Sequence, residues 1–523
     1  ALPTGGTNYQ TFNAAIAALS CGIAGPIVFD VDASSGPYVE QVQIGSIFGT
    51  SAVNTITFNG NGRELTFAAT LSTAPGTFVL NGADYIVVNN LTISSTGTTY
   101  GLACHLWNGA NNNSFTNCTF TVPADLTPST LVPFSISGSA TSSTTTGTGG
   151  DNNTVTGCTM NSGYYNTTLV SGSNNQVINC TILNFYFYGV YVSSQIGSLV
   201  RGNTIQRPTR TNGSTFYGVY VVGTSNNNLV EKNRISRPFE MNPTSTSTAY
   251  GIYCSIDASP GSENKFFNNL ISDMSGDGLT AGLYLTGADY VKAYHNTISL
   301  DNAASTAGTT YGIYSTGTLG GIDIKNNMIT IRRGGSGTKH CLYFTGGLQN
   351  SNYNNLYINS PSGTNYLGYN GTTNFNTLLD WQGANGGIWD QQSADADPNF
   401  TNPALGNYQP NSISVDDIGT PVGVTTDLQN NSRSLVNPDI GAYEFSVAPI
   451  DAGVLALSSP GLGGCYSTTE NVVATIKNYG ANIIDFAVNP LTVTCDVTGA
   501  VTTTLTATPS GTLAPGATMN VTL

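Results

Sequence analysis

One short phrase returns ten times along this chain, and it constrains the fold more than any other feature. It reads NNLTI (89–93), TNCTF (116–120), TGCTM (156–160), INCTI (178–182), RGNTI (201–205), EKNRI (231–235), FNNLI (267–271), YHNTI (294–298), KNNMI (325–329) and NNLYI (354–358). Nine intervals span the 265 residues from Ile93 to Ile358, about 29 residues each. A second phrase keeps the same period: YGVY at 188 and 217, YGIY at 250 and 311, AGLY at 281 and HCLY at 340. A period between about 20 and 50 residues marks a stacked repeat. Each repeat carries short β-branched or aromatic runs between Gly, Asn, Ser and Thr turns, with no helical segment. Such coils suit an all-β fold, a right-handed parallel β-helix of about eleven or twelve coils stacked at the strand spacing of about 4.8 Å. Handedness follows from the general preference for right-handed crossovers. Longer intervals, such as that from Phe120 to Met160, mark inserted loops, the tract 137–150 among them.

Stacking lets columns be read across the repeats. Two positions before the closing apolar residue stand Leu91, Cys118, Cys158, Cys180, Asn203, Asn233, Asn269, Asn296, Asn327 and Leu356. Alternation turns this column inward. A buried amide must be hydrogen-bonded, and identical amides one coil apart satisfy each other, so the five asparagines read as an internal ladder. Cys118, Cys158 and Cys180 read as buried, reduced thiols, since no His or acid accompanies them. In the second phrase Val190, Val219, Ile252, Leu283, Ile313 and Leu342 are expected to point inward. Tyr191, Tyr220, Tyr253, Tyr284, Tyr314 and Tyr343 then point outward as an aromatic strip about 25 Å long. Such a strip either stacks on sugars or lies beneath a covering loop such as 239–249. We take it as the ligand-binding candidate.

Composition narrows the partners. Charged residues make up 8 % of the chain, against about 25 % in an average globular protein, and the net charge is −14 with 15 basic residues. A phosphate-tracking surface is hard to assemble from so few cations, which argues against nucleic acid. No apolar run reaches the roughly 20 residues needed to cross a bilayer. Nine scattered cysteines without a CxxC pair indicate neither a zinc site nor a dense disulfide framework.

The chain divides into four stretches: a cap helix within 1–26, expected over 8–20 with Thr7 or Asn8 as its cap; the β-helix over 27–360; a cap module over 361–446; and a small β-sandwich over 449–523. The run GPYVEQVQI (36–44), the Asn-rich repeats, DQQSADADPNF (390–400) and NPDIGAYEF (437–445) resemble the right-handed parallel β-helix proteins of the pectin-lyase-like superfold. More narrowly they resemble large secreted surface proteins of Bacteroidota, often exported by the type IX system. The resemblance covers residues 1–446 and implies a secreted or bacterial cell-surface location, with a glycan or cell-surface ligand. Residues 449–523 are similar to bacterial immunoglobulin-like adhesion modules, in which Cys465 and Cys495 could form a bridge. The chain stops at MNVTL in mid-strand, so further domains of a longer protein are expected.

The superfold hosts lyases, galacturonases and esterases, and fold alone does not decide among them. His105, His295 and His340 lack the Gly-His-Gly context of the galacturonase-like family. Lyases of the superfold use carboxylates to hold calcium and an Arg or Lys as base. The candidates for such chemistry are Arg207, Arg237 and Asp273 at matching offsets, with Asp301 and Arg332 one residue further on. Asp273, Asp277 and Asp301 are the candidate calcium ligands, calcium being the one cofactor considered. The competing expectation is that these charges simply pair. In the terminal module Asp427, Arg433, Asp439 and Glu444 are expected to form an ion-pair cluster that fixes the cap. The function expected is a noncatalytic surface module, an adhesin or filament segment; the alternative is a polysaccharide lyase or other carbohydrate-active enzyme acting on acidic glycans.

Overall fold

The computed structural model describes all residues except 1–7, 347, 348, 462 and 464–468. Three parallel sheets run along the rod, and each coil visits them in turn. The first sheet runs from Ile27–Asp30 to Gln349–Asn352 and the second from Tyr38–Val39 to Asn355–Ile358, twelve strands each. The third runs from Val42–Gly45 to Thr364–Tyr369 and ends on the antiparallel strand Asn374–Phe375. The fold is thus a right-handed parallel β-helix of twelve coils.

The recurring phrase makes the corner between the first and second sheets. Asn117 turns there with φ 54°, and Asn179, Asn268 and Asn326 do the same with φ 53°, 54° and 57°. Asn tolerates this left-handed region better than other side chains, and Gly157 and Gly202 fill two further corners. The next residue points inward. Asn203 donates to Asn233 at 2.9 Å, Asn233 to Asn269 at 3.0 Å, Asn269 to Asn296 at 2.9 Å and Asn296 to Asn327 at 2.9 Å. The ladder then continues through Asn354, not Leu356: Asn327 donates to Asn354 at 3.1 Å, while Leu356 pairs with Ile329. The last coil is therefore shifted by two residues from the expected register. Asp390, fully buried, closes the ladder by accepting from Asn354, Ser351, Ser393 and the Trp381 indole.

Cys118, Cys158 and Cys180 are buried free thiols. Each thiol donates to a carbonyl of the coil below, and Cys158 Sγ accepts from Cys118 N at 3.2 Å. They perform the amide's work with one polar atom. A second ladder, unseen in the sequence reading, lines the corner between the third and first sheets: Asn113 donates to Asn153, Asn153 to Asn175 and Asn175 to Gln195, and Asn228 donates to Asn264.

At the N-terminal end α1 is shorter than expected, Phe12–Ala17, and its cap is Thr11, whose side chain accepts from Ala14 N at 3.0 Å. Glu40 accepts the amides of Phe12 and Asn13, so the coil itself fixes the helix start. Phe12, Ala15 and Leu19 cover the open core. At the other end α2 (Leu378–Gly383) sets Trp381 on Trp389, rings 4.8 Å apart, over Phe344.

Residues 420–445 dock along the first corner over four coils. Asn268 accepts from Arg433 at 2.7 Å and donates to Thr426 O, His295 Nδ1 meets Asp439 O at 3.0 Å, and Asn326 donates to Thr420 O. Beyond Val447 a three-stranded antiparallel sheet joins Ala452–Ser459, Val473–Asn478 and Thr518–Thr522 around Ile476, Phe486 and Val521. Cys495 is half-buried, and Cys465, its expected bridge partner, lies outside the described residues.

Candidate functional site

The outer face of the third sheet carries the tyrosines as expected. Parallel pairing sets Tyr191 against Tyr220, then Tyr253, Tyr284, Tyr314 and Tyr343 in unbroken register. Tyr369 adds a seventh ring, 4.4 Å from Tyr343. A second rank stands beside it, made of Tyr165, Tyr188, Tyr217, Tyr250, Tyr311, His340 and Tyr366, with Ala281 leaving one gap between Tyr250 and Tyr311. Strict alternation hid this rank, since it would bury one tyrosine of each YGVY phrase. Pairing skips the glycine, so Gly and Val both turn inward and both tyrosines face out. The recurrence of both tyrosines was the signal.

Every one of these tyrosines is half-buried, mostly by its neighbours. Tyr284 and Tyr314 lie 4.1 Å apart and 1° from parallel, Tyr314 and Tyr343 5.0 Å and 9°, and Tyr253 and Tyr284 5.2 Å and 12°. Rings stacked along the rod spend their faces on one another and show solvent their edges and hydroxyls. The strip is therefore a ladder of edges, not the flat platform that sugar stacking needs. Tyr220 is the exception, perpendicular to Tyr253 at 89°. Burial against neighbours raises the Tyr253 and Tyr311 phenols to about 12, so these two stay protonated at neutral pH. His340, buried and stacked between Tyr311 and Tyr366, has Nε2 2.8 Å from Asn374 Oδ1, leaving Nδ1 without a partner. Burial holds it below its ordinary value.

In the N-terminal half the same outward column is Val79, His105, Ser135 and Thr168, all buried. His105 Nε2 meets Ser137 Oγ, which in turn bonds the backbone of the inserted loop at Ser139 and Ser142. Burial lowers its pKa to about 3, so it stays neutral.

The charged candidates separate. Their backbones stack, Arg207 N donating to Arg237 O and Arg237 N to Asp273 O. Arg207 nevertheless turns inward, 1 % exposed, donating to the carbonyls of Pro238, Tyr186 and Ser214 beneath the rings of Phe216 and Phe239. It is a turn clamp, with no access to a ligand. Arg237 faces a groove of about 870 Å³ on the second sheet, roofed by residues 403–408. Asp273, Asp301 and Tyr408 line the same groove. Arg237 is held by both oxygens of Glu240, at 2.9 and 3.1 Å, with Asp273 at 3.9 Å. Asp301 accepts from Tyr408 at 3.1 Å and from Ser299 at 3.3 Å. Burial raises the Asp301 carboxyl. The groove walls, Glu240 and Asp301 push Asp273 upward too, an effect moderated by its side chain being 57 % exposed.

Asp277 lies elsewhere, accepting from the Thr306 backbone and hydroxyl and from Ser305. The three candidate calcium ligands therefore do not assemble. Arg332 pairs with Asp397 at 2.5 Å. Among the described residues the acids that do converge are Asp416, Asp417 and Asp439, in the cap module. There Asp439 accepts from the amides of Asp417 and Phe445, Asp427 from those of Gln429, Asn431 and Glu444, and Arg433 pairs with Glu444 at 3.0 Å. The expected cluster thus holds the cap together and, through Asn268, holds it to the rod.

Fold and surface together define a parallel β-helix protein with a tyrosine-lined face. A family model described as periplasmic copper-binding protein (NosD) matches residues 111–302, less than half of the chain. No curated protein matches. Among solved structures, pectate lyase Pel9A is similar at 12 % identity over 83 % of this chain and 90 % of that one, with a TM-score of 0.36. The Streptococcus pneumoniae surface protein and adhesin PfbA is similar at 10 % over 67 % and 84 %, TM-score 0.33. The periplasmic alginate epimerase AlgG is similar at 10 % over 66 % and 79 %, TM-score 0.28. These likenesses concern the coil-on-coil fold and carry no inference about activity. Among the described residues no helix is long and apolar enough to cross a membrane.

Proposed function

We propose that the chain is a noncatalytic module of a secreted or cell-surface protein, an adhesin or stalk segment. In this reading it meets a glycan or cell-surface ligand along the tyrosine ladder, and further domains, with the immunoglobulin-like module at 449–523, extend the rod. The observation that carries the reading is the double rank of half-exposed tyrosines on one face of a rigid rod. Aromatic ring edges are electropositive and phenols both donate and accept, so the ladder suits ring oxygens and hydroxyls of a neutral polymer. The test is a glycan array and cell adhesion with Tyr253→Ala/Tyr284→Ala, its fold checked by circular dichroism. Binding should fall in the variant; unchanged binding refutes the ladder as the contact surface.

A carbohydrate-active enzyme is the second reading, favoured by the groove that gathers Arg237, Asp273, Asp301 and Tyr408. A lyase needs a free base, whereas Arg237 is bound by both oxygens of Glu240, and calcium lacks its third carboxylate. Turnover of an acidic polysaccharide that is lost in Arg237→Ala would establish this reading over the first.

A further inference from the structure

The ladder has a chemical property independent of any glycan. We infer that it is a one-electron oxidation site at which phenols of neighbouring coils couple to dityrosine, stapling coil to coil. Coupling requires two phenol rings held within contact distance, both open to a small oxidant. Tyr284 and Tyr314 meet this with centroids 4.1 Å apart, and Tyr343 and Tyr369 with centroids 4.4 Å apart at 22°. All four rings are half-buried, so solvent reaches an edge of each. The first rank also makes a continuous path: no step from Tyr191 through Tyr220, Tyr253, Tyr284, Tyr314 and Tyr343 to Tyr369 exceeds 5.7 Å between centroids. A radical formed on one ring can move along the stack until it settles beside a second.

The chemistry balances with a peroxide and a haem peroxidase as the oxidant. One hydrogen peroxide takes one electron and one proton from each of two tyrosines and leaves as two waters. The two phenoxyl radicals join through the ring carbons ortho to oxygen, and tautomerisation restores both phenols, so the product has lost two hydrogens. His340 sits within this array, its ring within 6.2 Å of those of Tyr311, Tyr343, Tyr366 and Tyr369.

The experiment treats the folded chain with limiting peroxide and a haem peroxidase, then maps cross-linked peptides by mass spectrometry. The expected products are intrachain Tyr284–Tyr314 and Tyr343–Tyr369 links, each lighter by two hydrogens. Tyr314→Phe should abolish the first and leave the second; Tyr369→Phe should do the reverse, so one poorly folded variant does not spoil the test. Three results overturn the inference: links no more frequent at these pairs than in the urea-unfolded chain, links chiefly between two chains, or links chiefly through Tyr85, Tyr100, Tyr290 or Tyr479, which stack on no other tyrosine among the described residues.

Discussion

The glycine of YGVY and the isoleucine of NTI are one packing unit, and this makes a sharp prediction. A Cβ built on Gly282 would lie 2.4 Å from Ile298 Cγ2, 2.9 Å from Ile298 Cδ1 and 2.7 Å from Gly312 O. Carbon contacts settle near 3.5–4.0 Å, so the overlap with Cγ2 alone is about 1 Å. Overpacking of this kind costs about 1–3 kcal/mol. The crowded carbonyl cannot rotate away, which places Gly282→Ala near the upper end, about 2–3 kcal/mol. The clash lies mainly with the methyl that a β-branched residue alone carries. Gly189, Gly218, Gly251 and Gly312 face Ile205, Ile235, Ile271 and Ile329 in the same way, each within 2.7 Å of a Cγ2. Where the glycine is replaced, by Cys341, the residue at the isoleucine position of the next coil is Leu356, which has no Cγ2. Asn166 takes the glycine place lower in the stack with its amide turned to the carbonyls of Met160, Ser162 and Leu183, so the pairing belongs to the YG coils. Ile298→Leu keeps the volume while removing that methyl. The double variant Gly282→Ala/Ile298→Leu should therefore recover about 1–2 kcal/mol relative to additivity. Urea unfolding, with amide exchange in residues 280–300 as the local readout, measures both numbers. A Gly282→Ala chain as stable as the parent, or strict additivity in the cycle, refutes the argument.

Asn269→Ala deprives the Asn233 amide and side chain of an acceptor and Val230 O of a donor, and should cost about 3–5 kcal/mol in urea unfolding. Asn269→Cys should cost clearly less, because Cys158 does the same work in its own coil. Arg207→Leu strands three carbonyls and should cost about 3 kcal/mol or more, with ligand binding per folded molecule unchanged. Burial raises Asp439 to about 7, so between about pH 4 and 7 the folded cap binds a proton that the unfolded chain does not. Cap stability should fall as pH rises through that window, and thermal melts of Asp439→Asn should lose this slope.

The first Asn ladder was legible because its residue sits one step past an obligatory corner, in the most regular phrase of the chain. The second was equally regular: Asn113, Asn153, Asn175, Asn228 and Asn264 each stand two positions before an inward apolar residue. It was hidden because asparagine also fills the exposed turns beside it, as in NNNSF and DNNTV. The register slip at Leu356 has a similar origin, since NNLYI offers two asparagines and two apolar residues for one pattern. Side-chain direction at the irregular turns was not legible at all. Arg207 and Arg237 share an offset and a following proline, yet one is buried under phenylalanines and the other solvated, because the bulky neighbours come from elsewhere in the sequence, Phe216 from the third-sheet strand and Phe239 from the next coil.

That difference bears on what the rod can recognise. Five of the fifteen cations, Arg207, Arg210, Arg333, Lys339 and Arg433, are buried. All five donate to backbone carbonyls: Arg210 to Leu126 and Asn184, Arg333 to Gly276, Gly278 and Gly308, Lys339 to Gly335, Gly337 and Ser362, and Arg433 to Asp439 and Gly441, besides Arg207. Irregular turns leave carbonyls that no strand can satisfy, and a guanidinium or ammonium closes two or three at once. Of the remaining cations, Arg201, Arg237, Lys292, Lys325 and Arg332 each meet a carboxylate. A fold that commits its few bases to its own turns and acids has little positive charge to offer an anionic polymer. The tyrosine ladder is the extended surface left over, and in the role proposed for it recognition needs no charge.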